Sequence, residues 1–322
     1  MNGKKIRNGD SSFLEKYGMT GIFILMIIVF SLTTTNFFTV QNFSNILINQ
    51  AVMGCLALGG MFILIIDEFD LSLGYILCFS MVLGALLAEK GVPAMLVPVI
   101  MAAAGAACGL LNGLITTKLG ISSFIGTLSV GLMLSGISQA LSGGGILNTN
   151  IPSGMITFAR GKLFQIGYCV IFLAVLCLIV WYILNFTSFG RQLYAVGSSK
   201  RTALFAGIKV QKVRILAFTA AGFFCGIAAV VLLGQLGAAS SAYGTSLLLP
   251  AYSVVFLSKA AFTPGKINVP GMILGMLLCA LGENGIEISG VSTWGSYIFQ
   301  GVILILSIWI SAALTERAER AK

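Results

Sequence analysis

The sequence predicts an all-α polytopic membrane protein of about ten transmembrane helices, with an inverted internal repeat and broken helices. Three observations lead there. The 322 residues are 57% hydrophobic and only 9% charged, with a mean hydropathy of +1.00; a soluble domain carries about 25% charged residues. No polar stretch is long enough to build a soluble domain beside the apolar runs. The basic residues gather at the N-terminus, in one central loop and at the C-terminus, the distribution of cytoplasmic segments between spans. The net charge of +9 is therefore a mark of orientation and calls for no nucleic acid.

Taken in order, residues 1–18 form a charged cytoplasmic lead with Lys4, Lys5, Arg7 and Lys16, too polar before Tyr17 for the apolar core of a signal peptide. The transmembrane region is 19–314, and 315–322 is a charged cytoplasmic tail. Spans are expected at roughly 19–37, 46–66, 71–88, 94–117, 122–141, 163–184, 215–236, 247–257, 267–282 and 294–314, each near the length a bilayer requires or a shortened version of it. That count puts both termini on the cytoplasmic side. The Gly-rich stretch 142–162 reads as an external loop with little regular structure. The seven cysteines all fall in apolar runs without ligand spacing and read as small packing residues.

Two breaks interrupt the pattern, at 67–74 and 258–266, and the spans beside them are short. Gly105 and Gly109 in the fourth span have counterparts in Gly271 and Gly275 in the ninth. Matching breaks in units of opposite orientation follow the inverted-repeat logic of transporters. Glycines at this spacing also occur wherever membrane helices pack closely, so packing alone is the other reading. The acidic pair Asp67-Glu68 and the basic Lys259 stand at the two breaks. They are expected either to pair with one another, each lowering the other's burial penalty, or to face the cytoplasmic interface separately.

The longest charged interruption is 185–214. It carries Arg191, Lys200, Arg201, Lys209, Lys212 and Arg214 and no acidic residue. Within it Ser199 is placed to cap a short helix over 200–206, and Gly207 to end that helix in the left-handed conformation. A helix of about two turns does not hold alone in water. The loop is therefore either a docking element or a purely topogenic basic segment.

No enzyme is visible. Histidine is absent, and there is no nucleophile elbow, phosphate-binding loop or metal-ligand spacing. Neither a cofactor nor a metal is expected, and ATP is not hydrolysed by this chain alone. The acidic candidates near the spans, Asp67, Glu68, Asp70, Glu283 and Glu287, sit at span ends. The neutral polar residues Asn49, Gln50, Asn112, Ser122, Ser123, Thr127, Asn284, Ser292 and Gln300, together with Glu283, suit a hydroxyl-rich neutral solute, or else bond between helices.

Several blocks resemble the permease subunits of bacterial ribose-type ABC importers, the family that handles ribose, xylose, galactose and autoinducer-2. They are the run 189–197 (Phe-Gly-Arg-Gln-Leu-Tyr-Ala-Val-Gly) with Ala203 and 206–208 (Ala-Gly-Ile); 69–74 (Phe-Asp-Leu-Ser-Leu-Gly); 109–113 (Gly-Leu-Leu-Asn-Gly) with 124–128 (Phe-Ile-Gly-Thr-Leu); and 264–266 (Pro-Gly-Lys) with Gly271, Gly275, Asn284 and Gly285. The resemblance spans about 42–310, and the order and spacing of the blocks make it specific. It implies a transport subunit of the bacterial inner membrane that moves a monosaccharide or small polyol by alternating access. It also implies a separate ABC ATPase, a periplasmic or lipid-tethered solute-binding protein, and a second permease subunit, identical or not. The membrane lipid surrounds them all. The resemblance assigns 199–208 to the helix that enters a groove in the ATPase. Three positions depart from the family: Asp67-Glu68 and Ser258-Lys259 stand where it carries small residues, and Lys200 where it carries an acidic one. These departures fit a diverged half of a heterodimeric permease or a distinct substrate.

The pathway or gate candidates are therefore Asp70, Ser72, Asn112, Thr127 and Asn284. The docking candidates are Arg191, Lys200, Arg201, Ala203, Leu204, Phe205, Gly207 and Ile208. A self-sufficient secondary transporter of a small neutral solute is the alternative, disfavoured by the poverty of titratable groups within the spans. A non-transporting membrane scaffold is disfavoured by the paired breaks.

Overall fold

The computed structural model describes residues 8–34 and 37–320. Lys4, Lys5 and Arg7 of the expected lead lie outside them. The described residues form α1 (Asn8–Thr33), α2 (Val40–Ile65), α3 (Leu73–Glu89), α4 (Leu96–Lys118), α5 (Ser123–Ser142), α6 (Ser153–Arg160), a two-stranded hairpin of β1 (Lys162–Leu163) and β2 (Ile166–Gly167), α7 (Tyr168–Phe186), α8 (Ser188–Ser198), α9 (Lys200–Phe205), α10 (Val210–Leu236), α11 (Leu248–Leu257), α12 (Val269–Ile288) and α13 (Thr293–Arg320). Among them seven helices are long and apolar enough to cross a membrane, and three shorter apolar helices cover Tyr17–Thr33, Leu73–Glu89 and Thr245–Ala260.

The chain divides into two compact units. One takes Leu47–Ala251; the other takes the chain ends, Met1–Ile46 with Tyr252–Lys322. The larger unit is built on α10. Gly222 and Gly226 stand on the side of α10 that faces α4, and α4 brings Gly105, Gly109 and Gly113 to that side. A methyl group on Gly109 would meet the carbonyl of Phe218, one on Gly105 the carbonyl of Gly222, and one on Gly113 the Cα of Ile215 at 2.9 Å. The two backbones touch because no side chain stands between them, the close approach that small residues allow in a membrane, where hydrophobic transfer gives helices little reason to associate. On another side of α10, Phe224 stacks on Phe62 of α2 with ring centroids 5.8 Å apart.

The smaller unit packs α1 and α13 against α12 around Phe37, Ile46, Ala280 and Leu281, with Phe23, Ile27, Phe30, Phe43 and Ile288 half-buried at its edge. The seam expected of Gly271 and Gly275 is present here. A methyl on Gly271 would meet the carbonyl of Ser258, and one on Gly275 the carbonyl of Val254 at 3.0 Å. The break before α12 is closed by Asn268, whose Nδ2 donates to the carbonyls of Ser258 and Ala261 while Oδ1 accepts from the Gly271 amide.

The stretch 142–162 is more ordered than its composition suggests. It contains α6, whose buried Met155 and Ala159 lie against Gly234 of α10, and Arg160 Nε donates to the Gln235 carbonyl at 2.9 Å. The sixth span begins at Tyr168 rather than near 163, because the apolar residues just before it form the hairpin. Leu163 pairs with Ile166 across a two-residue turn in which Phe164 and Gln165 have φ of 45° and 73°, the type I′ geometry whose twist matches that of paired strands.

Candidate functional site

The site begins where α2 ends. The Glu68 amide donates back to the Ile63 carbonyl and the Asp67 amide to that of Leu64, both at 3.2 Å. These are the two bonds of a Schellman motif, and they require the residue between helix and exit, Asp67, to be left-handed; its φ is 57°. The turn stops the helix abruptly and aims the next residues, Glu68 to Ser72, back toward α4.

There Asp70, Ser72, Asn112 and Thr127 meet, and none of the four has solvent-accessible surface. Asp70 Oδ1 accepts from the Ser72 amide at 2.8 Å and from Ser72 Oγ at 2.5 Å. Asn112 Nδ2 donates to Asp70 Oδ2 at 3.2 Å and to Ser72 Oγ at 2.7 Å. Thr127 Oγ1 accepts from the Leu71 amide at 2.9 Å and donates to the Ser123 carbonyl at 2.7 Å. Buried polar groups are stable when bonded in this way. One atom stands apart: Asn112 Oδ1 has no hydrogen-bond partner among the described residues, so the node retains a buried acceptor. Four of the five expected pathway residues are thus brought together. The fifth, Asn284, belongs to the other unit, where it exchanges amide bonds of 2.8 and 3.1 Å with Asn42. In that unit Gln300 Nε2 also donates to Glu283 at 3.0 Å.

The basic loop folds into α8 and α9. Thr187 caps α8 by accepting from the Gly190 amide. Phe189 stacks on Phe62 with centroids 6.4 Å apart, and Gly197 lies so close to the Ile65 carbonyl that a methyl group there has no room. Arg191 is exposed on α8. The helix expected over 200–206 is present as Lys200–Phe205. Ser199 Oγ caps it at the Thr202 amide, 3.2 Å away. Gly207, with φ of 78°, ends it, and the Ile208 and Gly207 amides return to the carbonyls of Ala203 and Leu204, both at 3.0 Å. Ala203 is buried and anchors α9, while Leu204 and Phe205 stand out at 62% and 79% exposure. Beside them Lys200, Arg201, Lys209 and Lys212 line a groove of about 730 Å³.

Sequence reasoning missed the connection between these two places. Glu68 is buried, and its Oε1 accepts from Lys200 Nζ at 2.7 Å and from Arg214 Nε at 2.5 Å; Oε2 accepts from Arg214 Nη2 at 3.1 Å. Glu68, expected either to pair with Lys259 or to face the cytoplasmic interface separately, is met by the basic loop. The available signal was that an acidic break and a loop of six basic residues were both assigned to the cytoplasmic side. An apolar groove of about 690 Å³ between α4, α6, α7 and α10 is lined by Met95, Val99, Phe158, Phe172, Phe223 and similar residues. It has no polar side chain to bond a hydroxyl-rich solute.

Known proteins match this chain over most of its length. The family model described as the permease component of branched-chain amino acid transport systems matches residues 42–308. The chain belongs to this permease family. The permease is 31% identical over 297 residues to the ribose import permease protein of Bacillus subtilis, covering 92% of each chain. It is 28% identical to that of Escherichia coli K12 over 300 residues, 92% of this chain and 93% of the other. It is 27% identical to the D-allose transport system permease of the same organism, covering 94% of both. Among solved structures it resembles a metal-chelate type ABC transporter in an inward-facing conformation, with a TM-score of 0.55 at 15% identity, covering 90% of this chain and 98% of that one; the likeness is one of fold. The permease is a multi-pass membrane protein and the permease subunit of an ABC importer.

Proposed function

We propose that this permease imports a monosaccharide or related small polyol across a bacterial inner membrane by alternating access, driven by an ATPase on a separate subunit. The observation that carries the reading is α9. It is capped at both ends, anchored by Ala203, and presents Leu204 and Phe205 beside a basic groove. An apolar tip held rigidly on a polar loop is a docking device, since exposing it confers nothing on the isolated chain. Arg191, Lys200, Arg201, Gly207 and Ile208 complete the docking set. Asp70, Ser72, Asn112 and Thr127 form the gate, with Asn112 Oδ1 as an acceptor for a passing hydroxyl, and Asn284 lines the pathway.

The substrate class follows the curated relatives, which are named for ribose and allose. The architecture that goes with this reading has about ten spans within 19–314, an inverted repeat, a coupling loop at 185–214, and a lead and a tail on the cytoplasmic side. A solute-binding protein and a second permease subunit complete the importer. The test is uptake of labelled sugars into proteoliposomes containing the permease, its ATPase and its binding protein. ATP-dependent uptake of a pentose or hexose is expected. Uptake of leucine instead would move the substrate to the class in the family's description. Uptake by the permease alone, driven by an ion gradient, would replace the reading with secondary transport. Replacing Leu204 and Phe205 together with Asp is expected to abolish co-purification with the ATPase while leaving membrane insertion intact; an intact complex would remove α9 as the docking element.

A further inference from the structure

The break after α2 is held to α4 at two points. Asp70 is gripped by Asn112 of α4. One turn further along α4, the Thr116 carbonyl accepts from Arg214 Nη2 at 3.4 Å, and Arg214 in turn holds Glu68 through both carboxylate oxygens. Glu68 and Arg214 side chains are 4% and 17% exposed. These are charge-assisted bonds in a forked geometry, the strong kind. Lys200 is different. Its side chain is 45% exposed and reaches Glu68 by one bond of 2.7 Å. It stands at the first position of α9, where the positive end of the helix dipole disfavours a cation. The Glu68 carboxylate offsets that, so the bond does two things: it stabilises the start of α9 and it fastens α9 to the break that carries Asp70.

We propose that Glu68 is a positioning residue that couples the docking helix to the buried polar node, so that displacement of α9 is felt at Asp70 through the Lys200–Glu68 bond. The inference rests on the docking role of α9 proposed above. Backbone packing of α8 on α2 and the burial of Ala203 hold the neighbourhood together with or without the bond, and the bond adds a direct side-chain link from the first residue of α9 to the break. Coupling of this kind requires one element whose position both sites bias, and the Ile66–Ser72 segment is tied to both.

The test measures sugar uptake per ATP hydrolysed in proteoliposomes containing the full importer. Glu68→Gln is expected to retain co-purification with the ATPase but to lower uptake per ATP by at least about fivefold, the lower end of ordinary coupling between sites. Lys200→Gln is expected to lower the ratio as well, and adding it to Glu68→Gln to lower it no further, since Glu68→Gln already removes the Lys200–Glu68 ion pair along with the paired charge facing Arg214. Lys200→Arg is expected to restore the ratio, because a guanidinium reaches the same carboxylate. If Glu68→Gln does not give folded protein, the contrast between Lys200→Gln and Lys200→Arg carries the test, read on complexes in which both variants co-purify with the ATPase as the parent does. An unchanged ratio in Lys200→Gln, effects that multiply in the double variant, or failure of Lys200→Arg to restore coupling would each overturn the proposal. A failure of the docking reading itself shows separately, as an intact complex in the Leu204, Phe205 double replacement.

Discussion

Asp67 holds a backbone conformation that L-residues with a Cβ avoid, and it does so at a fully bonded helix end. Aspartate is among the residues that tolerate the left-handed region, yet glycine enters it without steric cost. Asp67→Gly is therefore expected to stabilise the permease by about 0.5–1 kcal/mol, the relief of strain less the extra freedom of glycine in the unfolded chain. The check is the apparent unfolding midpoint in detergent, which should rise. Asn112 makes the opposite case. Asn112→Leu removes the donor shared by Asp70 and Ser72 and leaves buried acceptors short of a partner, a loss of about 1–3 kcal/mol. Its expected signature is a lower midpoint together with loss of uptake. At this scale the sequence was informative in one direction only. Asn112 and Thr127 stood out as neutral polar residues in or beside apolar spans, Asp70 as an acidic residue at a span end, and Ser72 with the motif at 69–74. The partners of Glu68 lie 132 and 146 residues away, a separation that no periodicity or local motif encodes.

α9 shows what a short element requires. Six residues give too few internal bonds to offset the ordering of the chain, so its ends do the holding. Ser199→Ala removes the side-chain acceptor at its N-terminal cap and is expected to cost about 0.5–2 kcal/mol of local stability. That effect should appear as faster amide exchange over 200–206, with exchange in α10 unchanged. These caps were readable because serine and glycine at those positions each have one favoured use. α6 and the 162–167 hairpin were not readable, for the opposite reason. Glycines and scattered apolar groups behind Pro152 look like loop, and α6 becomes a helix with a buried face only when α10 supplies Gly234 for Met155 and Ala159 to rest on. The break at 67–74 was visible as an interruption in hydropathy, but its direction was not, since that follows from the φ of one residue.

The larger unit owes its cohesion to α10, and α10 owes its place to the row of glycines on α4. The spacing of that row was evident in the sequence; its partner was not. The sequence named no helix for it to meet, and Gly105, Gly109 and Gly113 pack against α10. Gly109→Val is expected to prevent assembly of this unit, because the added carbons would fall on the backbone of α10, which has nowhere to move without separating the helices. The measurement is the yield of monodisperse protein, with Gly136→Val, at a position with open space around it, as the control that stays soluble. A joint between two bare backbones has a further property. Ordinary helix interfaces yield in small steps as side chains hop between rotamers, and each hop lets one helix creep along the other. Glycine has no rotamers. Where Gly105 and Gly109 meet Gly222 and Gly226 there is nothing to rearrange gradually, so at that point the pair either stays registered or comes apart. During a transport cycle it is expected to travel as a single stiff strut, leaving all of the bending to places where side chains still separate the helices.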